Sequence, residues 1–259
     1  MGFFVTFSLC FYYNYMNKIL IILSALLLML GCQTQQKELS EAEIDQIVDN
    51  ITDPQHLYDI AQSMRFTRNY EQYDATEYST NDTVSLYVEN YEDEDKMYNR
   101  QIFFYDNQPI FINEIGYRPT NDGEEQYQQK IYINNGKVSS AYEGIIKDEN
   151  IKNIKFKKIK IDLTKYDFDK PKNAVNQKGD FEMKFGEFLS VAKDTYLILD
   201  NKKSKYSVAL FIIEGDETLN TLFENKEALQ GKTVFAYHEF VNMGGINRML
   251  YKGSYFVGD

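Results

Sequence analysis

The feature that most limits the fold of this chain is an alternation of apolar and polar residues with a period of two, from about residue 73 to residue 144. Successive side chains of a β-strand point to opposite faces, so this period predicts strands with one buried face. Six runs follow one another: ATEYS, TVSLYVENY, MYNRQIFFYD, PIFINEIGY, QYQQKIYI and KVSSAYEG. Turn sequences separate them, and Asn135-Gly136 is the strongest hairpin signal among these. The segment predicts an antiparallel β-meander.

Two short helices are predicted before the meander. Ser40 and Glu43 have the spacing of a capping box, and apolar residues follow at helical spacing. Asp53-Pro54 is typical of a second helix start, and an apolar stripe with the same spacing continues to Met64. We therefore expect N-terminal helices and meander to form one domain, residues 39–146.

The C-terminal segment, residues 179–259, predicts three strands, a helix at about 217–229 and two further strands. This order resembles the OB-fold, a small five-stranded Greek-key barrel. The resemblance implies a binding surface on one sheet face and its rim loops, here at Tyr196, Asp200, Asn242, Gly244 and Gly245. Residues 147–178 are predicted as a linker between the two domains. The fold class predicted is mainly β (α+β): helices and meander, then an OB-like five-stranded barrel with one helix.

A short apolar segment near the N-terminus predicts export. A head containing Lys18 precedes twelve residues, Ile19 to Leu30, that are apolar except for one serine. A spanning helix needs about 20 apolar residues, so this length favours a secretory signal peptide. Met29-Leu30-Gly31-Cys32 resembles the lipobox of bacterial lipoproteins. That resemblance implies a lipid on the Cys32 sulfur, cleavage before Cys32 and acylation of the new amino terminus.

This interpretation divides the N-terminal region. Residues 1–31 are the signal peptide, of which 1–15 are predicted to precede the true start at Met16, and residues 32–38 are a polar tether. The composition is similar to that of Bacteroidota lipoproteins, which implies an outer-membrane location. A single acid soon after Cys32 favours the periplasmic face over the cell surface. A plain signal peptide and a single membrane helix with an incidental cysteine are the alternatives.

Charge and cysteine content exclude several classes. The net charge is −11, and removal of residues 1–31 makes it −12 because Lys18 is the only charged residue there. This balance argues against nucleic-acid binding, which requires clustered Lys and Arg. The two cysteines are Cys10 and Cys32, so the mature chain is predicted to have no disulfide. Membrane attachment is expected through the lipid on Cys32.

No catalytic motif, metal site or cofactor site is predicted. His56 and His238 are interpreted as ordinary surface or edge residues, and the acidic run Glu92–Asp95 as a solvated turn rather than a calcium loop. Asp82-Thr83-Val84 matches a short O-glycosylation sequence used in Bacteroidota, which makes Thr83 a candidate for modification.

Two hypotheses for function follow. The first is a non-enzymatic envelope lipoprotein that binds protein or glycan partners. The alternative is a hydrolase of glycan or peptidoglycan, or its accessory subunit, whose two acids would lie about 5–10 Å apart in one cleft.

Overall fold

The computed structural model describes residues 38–121, 123–147 and 154–258, and Leu39–Asp259 form one compact unit. Fourteen strands of the described chain join into a single sheet, with few helices beside it. The prediction of a mainly β chain is confirmed. The signal peptide and the lipobox residues Met29, Leu30, Gly31 and Cys32 lie outside the described residues.

The meander is present as predicted. Consecutive strands from β3 to β8 pair antiparallel through short hairpins, and β1 and β2 both pair with β3. The strands in this part are β1 (Asp59–Gln62), β2 (Phe66–Arg68), β3 (Glu71–Thr80), β4 (Thr83–Glu92), β5 (Met97–Tyr105), β6 (Gln108–Thr120), β7 (Gly123–Asn134), β8 (Lys137–Ile146) and β9 (Phe156–Lys158).

One of the two predicted N-terminal helices is confirmed. Helix α1 (Glu41–Ile51) begins at a capping box in which Glu43 N–H donates to Ser40 Oγ at 3.3 Å and Ser40 N–H donates to Glu43 Oε2 at 2.8 Å. The second helix, predicted from Asp53-Pro54, is wrong, because β1 occupies that segment. Its apolar stripe does not face a core, since Leu57 is 89% exposed and Ile60 is 64% exposed.

The meander is covered on both faces. Helix α1 packs on one of them, where Ile44 is fully buried against Leu86, Phe103 and Phe111. The opposite face packs against residues 159–168, here called the covering segment. Its apolar residues lie over Ile102, Ile112 and Ile131 and are Ile159, Ile161, Leu163, Tyr166 and Phe168. The meander is therefore the middle layer of three.

The C-terminal elements follow the predicted order of three strands, helix and two strands. They are α2 (Asp169–Val175), β10 (Lys184–Val191), β11 (Asp194–Asp200), β12 (Ser207–Ile212), α3 (Glu217–Glu224), α4 (Lys226–Leu229), β13 (Val234–Met243) and β14 (Ile246–Phe256). Strands β10, β11 and β12 pair antiparallel, β14 pairs with β13 and, in parallel, with β12. The OB-like barrel itself stays a prediction.

Strands from both sides of the predicted domain boundary belong to one sheet, because Ser207 of β12 pairs with Thr67 of β2. The described part of the predicted linker, residues 154–178, contains β9, the covering segment and α2. The division into a domain of residues 39–146 and a domain of residues 179–259 stays a prediction.

Candidate binding groove

A row of polar residues crosses the face that carries α1, on strands β3, β4 and β5. The register places Asp74 opposite Asn90, Asn90 opposite Asn99, and Asn99 opposite Ile115 of β6. Residues directly opposite in neighbouring strands share a face of the sheet. Val88, in the preceding row of this face, packs against the α1 core, whereas Asn90 and Asn99 are exposed. The row therefore lies where the helix no longer covers the sheet.

These side chains are linked by hydrogen bonds. Asn99 Nδ2 donates to Asn90 Oδ1 at 2.9 Å, and Asn90 Nδ2 donates to Asp74 Oδ1 at 2.8 Å. The other oxygen of Asp74, Oδ2, accepts from Arg65 Nε at 3.1 Å. Each amide is thus held in one orientation, and among the described residues the Asn99 side-chain carbonyl accepts no hydrogen bond. A fixed amide with an unused oxygen can accept a hydrogen bond from a ligand hydroxyl.

A second amide chain runs beside the first, with Gln101 and Asn113 one row closer to α1 and Gln128 in the row of Asn99. Asn113 Nδ2 donates to Gln101 Oε1 at 3.0 Å, and Gln128 Nε2 donates to Asn113 Oδ1 at 2.7 Å. The two chains together extend the polar surface from β3 to β7.

The first amide chain forms the floor of a cavity of about 340 Å³, here called the amide cavity. Its apolar wall includes Met97, 44% exposed, and Tyr117, 37% exposed. Tyr91 and Tyr98 are also among the lining residues, but the register places their side chains on the opposite face, where the two rings stack with centroids 5.0 Å apart. Burial raises the pKa of both tyrosines, so both hydroxyls stay protonated at neutral pH.

Arg65 joins this cavity to a second one of about 330 Å³, here called the arginine cavity. The Arg65 guanidinium lies 5.4 Å from the centre of the Phe240 ring, which lines the arginine cavity together with Tyr196 and Arg248. The two cavities share Arg65 as a lining residue, and together we call them the groove. Its lining residues come from the meander, from β11 and β12, and from the β13–β14 hairpin.

A buried charge cluster lies on the opposite face of the sheet. Arg100 Nε donates to Glu114 Oε2 at 2.7 Å, and Arg100 Nη1 donates to Glu89 Oε2 at 3.3 Å. Burial raises the pKa of Glu89, which also accepts a hydrogen bond from the Tyr73 hydroxyl at 2.7 Å. Glu89 is fully buried and Glu114 is 5% exposed, so neither carboxylate is accessible to a ligand.

The structure brings together some of the residues predicted as a binding surface. Tyr196 lines the arginine cavity, as do Ile246 and Asn247 at the end of the β13–β14 turn. Asn242 lies on this turn, where its Oδ1 accepts from Gly245 N–H at 3.1 Å and Gly244 has a positive φ of 63°. Asp200 is not part of this group, since it lies at the other end of β11, about 13 Å along the strand from Tyr196.

The other residues singled out in the sequence have local surroundings. Thr83 is exposed at the β3–β4 turn. His56 is exposed and stacks on Tyr58 at 4.9 Å, whereas His238 is half-buried with Nε2 3.1 Å from the Ser63 carbonyl oxygen, which can only accept. Burial lowers the pKa of His238, so it is neutral at pH 7.

The acidic turn uses its carboxylate internally. Asp93 Oδ1 accepts from the N–H groups of Asp95 and Lys96, both at 2.8 Å, and its Oδ2 accepts from the Tyr91 hydroxyl. Within residues 38–121, 123–147 and 154–258, no group of three or more His, Cys, Asp or Glu side chains is placed to hold a metal ion. In the same part of the chain, no helix has both the length and the apolar character needed to cross a bilayer.

Sequence reasoning did not find Arg65, Asp74, Asn90 or Asn99. The usable signal was an Asp or Asn on each of three consecutive strands. Only the strand register shows that these residues lie in one row. Comparison with known proteins adds no identity, since no protein-family model, curated protein or solved structure matches the chain.

Proposed function

We propose that this chain is a lipid-anchored protein of a bacterial outer membrane that binds glycans in the groove without catalysing a reaction. The anchor rests on the resemblance of Met29–Cys32 to a lipobox, and the periplasmic face on the few acids that follow it. The binding function rests on one observation: the oriented chain from Arg65 through Asp74 and Asn90 to Asn99 at the floor of an open cavity.

The chemistry of this floor suits sugars. A sugar hydroxyl both donates and accepts hydrogen bonds, and a side-chain amide offers both functions within one group. Each amide of the chain already uses one hydrogen bond to fix its orientation, so less conformational entropy is lost on binding. The exposed faces of Met97 and Tyr117 supply apolar surface for a sugar ring. The cavity volume lies within the range of about 300–1,000 Å³ common for ligand sites.

A glycan array tests the proposal, using the full-length protein in detergent with neutral oligosaccharides, acidic oligosaccharides and soluble peptidoglycan fragments. Asn90→Ala and Asn99→Ala are expected to weaken binding about three- to tenfold each, since a hydrogen bond contributes about 0.5–1.5 kcal/mol. The matched control is Asn220→Ala, an exposed asparagine of α3 outside the groove. Binding that is equally strong in all four proteins would place the glycan site elsewhere.

The alternative partner is a protein. If none of the array glycans binds, and crosslinking through a residue beside Asn99 captures one protein only when the groove is intact, the groove is a protein-binding site. The proposal of glycan binding is then wrong.

The anchor has a separate test. Cys32→Ser is expected to release the protein from the membrane fraction of its host, and wild-type protein on intact cells is expected to resist added protease. If Cys32→Ser is released but the wild-type protein is digested on intact cells, the protein lies on the cell surface. A Cys32→Ser protein that stays in the membrane fraction contradicts the lipobox interpretation.

One observation favours the hydrolase alternative. Asp74 and Glu92 both line the amide cavity, and the register makes them diagonal neighbours on β3 and β4. Diagonal neighbours lie about 7–8 Å apart, a spacing that allows their carboxyl groups the separation found in glycosidases. Release of reducing ends from any array glycan by wild type, lost in Glu92→Gln, would establish this activity. We favour binding alone because both oxygens of Asp74 are already hydrogen-bonded.

A further inference from the structure

The arginine cavity is lined by two guanidinium groups, each of which is paired with one carboxylate outside the cavity lining. They belong to Arg65 and Arg248, and none of the residues that line the cavity is acidic. The chain has a net charge of −11, so such a cavity is not expected from composition. The amide cavity differs, because Asp74 and Glu92 are among its lining residues.

Both guanidinium groups are held in place by contacts with a carboxylate and an aromatic ring. Arg248 Nη1 donates to Asp194 Oδ2 at 2.6 Å, and its guanidinium lies 4.7 Å from the centre of the Phe211 ring. Arg65 is held in the same way, by Asp74 on one nitrogen and by the face of Phe240. One carboxylate and one aromatic ring thus fix the orientation of each guanidinium group. Less conformational entropy is therefore lost when the guanidinium group binds a ligand.

Each guanidinium group has N–H donors that make no hydrogen bond within the described residues. Among the described residues, neither terminal nitrogen of Arg65 is hydrogen-bonded, and neither Nε nor Nη2 of Arg248 is. The side chains are 41% and 21% exposed respectively, so these donors are within reach of a ligand in the cavity. A planar guanidinium matches the two oxygens of a carboxylate.

We propose that the arginine cavity binds the carboxylate of an acidic sugar, such as a uronic acid, whose neighbouring residues lie in the amide cavity. This inference rests on the proposed glycan binding and names the class of glycan. The ring of the acidic sugar would lie against Tyr196 and Ile246, which provide aromatic and exposed apolar surface in the same cavity. The acids of the amide cavity would disfavour a second anionic residue there, so a neutral sugar fits that position.

The first experiment uses free D-glucuronate as the probe, with glucose and acetate as comparison ligands. Arginine Nε–H signals of the full-length protein in detergent are followed by NMR at low salt. We expect glucuronate to shift the signals of Arg65 and Arg248 at concentrations where glucose and acetate do not. Arg248→Gln is expected to weaken glucuronate binding at least about tenfold, because a hydrogen bond to a charged group is among the stronger ones.

Two further variants keep the result interpretable. Arg248→Lys retains the charge but loses the planar guanidinium group. If it weakens glucuronate binding about as much as Arg248→Gln does, the result supports bidentate recognition. Lys252→Gln removes one positive charge from the same strand at a residue outside the cavity, and we expect it to bind like wild type. A Tm equal to that of wild type shows that each variant is folded.

Several outcomes would overturn the assignment. They are no shift of either arginine signal with glucuronate in the wild-type protein, equal binding of acetate, or tighter binding of inorganic sulfate than of glucuronate. The glycan array keeps this result separate from the proposed function. If neutral glycans bind through Asn90 and Asn99 but glucuronate does not reach the arginines, only the acidic-sugar assignment is lost.

Discussion

The side chain of Gln177 pairs with the backbone of Ala236 as a neighbouring strand would. Its Nε2 donates to the Ala236 carbonyl oxygen at 2.8 Å, and the Ala236 N–H donates to its Oε1 at 3.1 Å. Gln177 is 9% exposed and Ala236 is 1% exposed. One buried amide therefore satisfies both backbone groups on the outer edge of β13 at this position.

We expect Gln177→Ala to lower the free energy of unfolding by about 2 kcal/mol or more, since it leaves a buried N–H and a buried C=O unpaired. Gln177→Glu keeps the acceptor but places a carboxylate oxygen against the Ala236 carbonyl oxygen, so we expect it to be at least as destabilising as Gln177→Ala at neutral pH. Urea unfolding followed by circular dichroism measures both. Gln55→Ala, at an exposed glutamine, is the matched control. Equal stability of all four proteins would mean that water replaces the side chain at this edge.

A second prediction concerns Arg100, which separates Glu89 and Glu114. Arg100→Ala is expected to cost about 3–5 kcal/mol, because it leaves two buried carboxylates unpaired. Adding Glu89→Gln and Glu114→Gln should restore part of that stability. A triple variant no more stable than Arg100→Ala would show that packing against Tyr98 and Tyr166 is what Arg100 contributes.

The Arg100→Ala variant should also respond to pH. Burial already raises the pKa of Glu89, and loss of the arginine raises it further. A carboxyl whose folded pKa exceeds its unfolded value binds its proton more tightly in the folded state. Its contribution therefore becomes less favourable as the pH rises from the unfolded pKa through the folded pKa. We expect the difference between this variant and wild type to be larger at pH 7 than at pH 5 in the same urea titration.

Glu143 should have the opposite pH dependence. Its hydrogen bond with Arg118 at 2.9 Å lowers the pKa of Glu143, and Gln129 and Lys157 act in the same direction. A lowered folded pKa stabilises the protein above the unfolded pKa of about 4.3, and this stabilisation is lost as the pH falls through the folded value. Glu143→Gln should therefore lose less stability than wild type between pH 6 and pH 3. Glu224→Gln, at an exposed position of α3, should lose as much as wild type.

Gly116 marks a close approach of two strands. A Cβ atom there would lie 2.6 Å from the Met97 carbonyl oxygen and 2.8 Å from the Tyr127 hydroxyl. Gly116→Ala is expected to destabilise by about 1–3 kcal/mol through overpacking. Adding Tyr127→Phe should recover only part, because the Met97 backbone contact remains. Thermal unfolding checks both, and a Gly116→Ala protein as stable as wild type would mean that β5 and β6 can separate locally.

The meander could be predicted because its turns are encoded locally. Asn135 and Gly136 both have positive φ, at 49° and 71°, which is the conformation that this pair favours in a two-residue hairpin. The segment predicted as the second helix has no such local turn signal, so the sequence did not show that it contains strand β1. Four apolar residues at helical spacing carry little weight when only one of them, Met64, reaches a core.

The groove could not be predicted because it depends on register and on distant segments. Asn90 lies 16 positions from Asp74, and nothing in the sequence of either strand states that they are opposite one another. A shift of one residue would send Asn90 to the other face. Arg65 and Arg248 approach the same cavity from opposite ends of the chain, and neither carries a local signal.

The pairing of β2 with β12 also has a consequence for the order in which the chain folds. The meander hairpins join neighbours in sequence, whereas Thr67 and Ser207 bond across 140 positions. Loop closure becomes less favourable as the loop lengthens, and chains rich in distant contacts fold slowly. We therefore expect the hairpins to appear early and the β2–β12 junction to form late. The arginine cavity, which needs Arg65 from one side of that junction and Arg248 from the other, would be completed only in this last step.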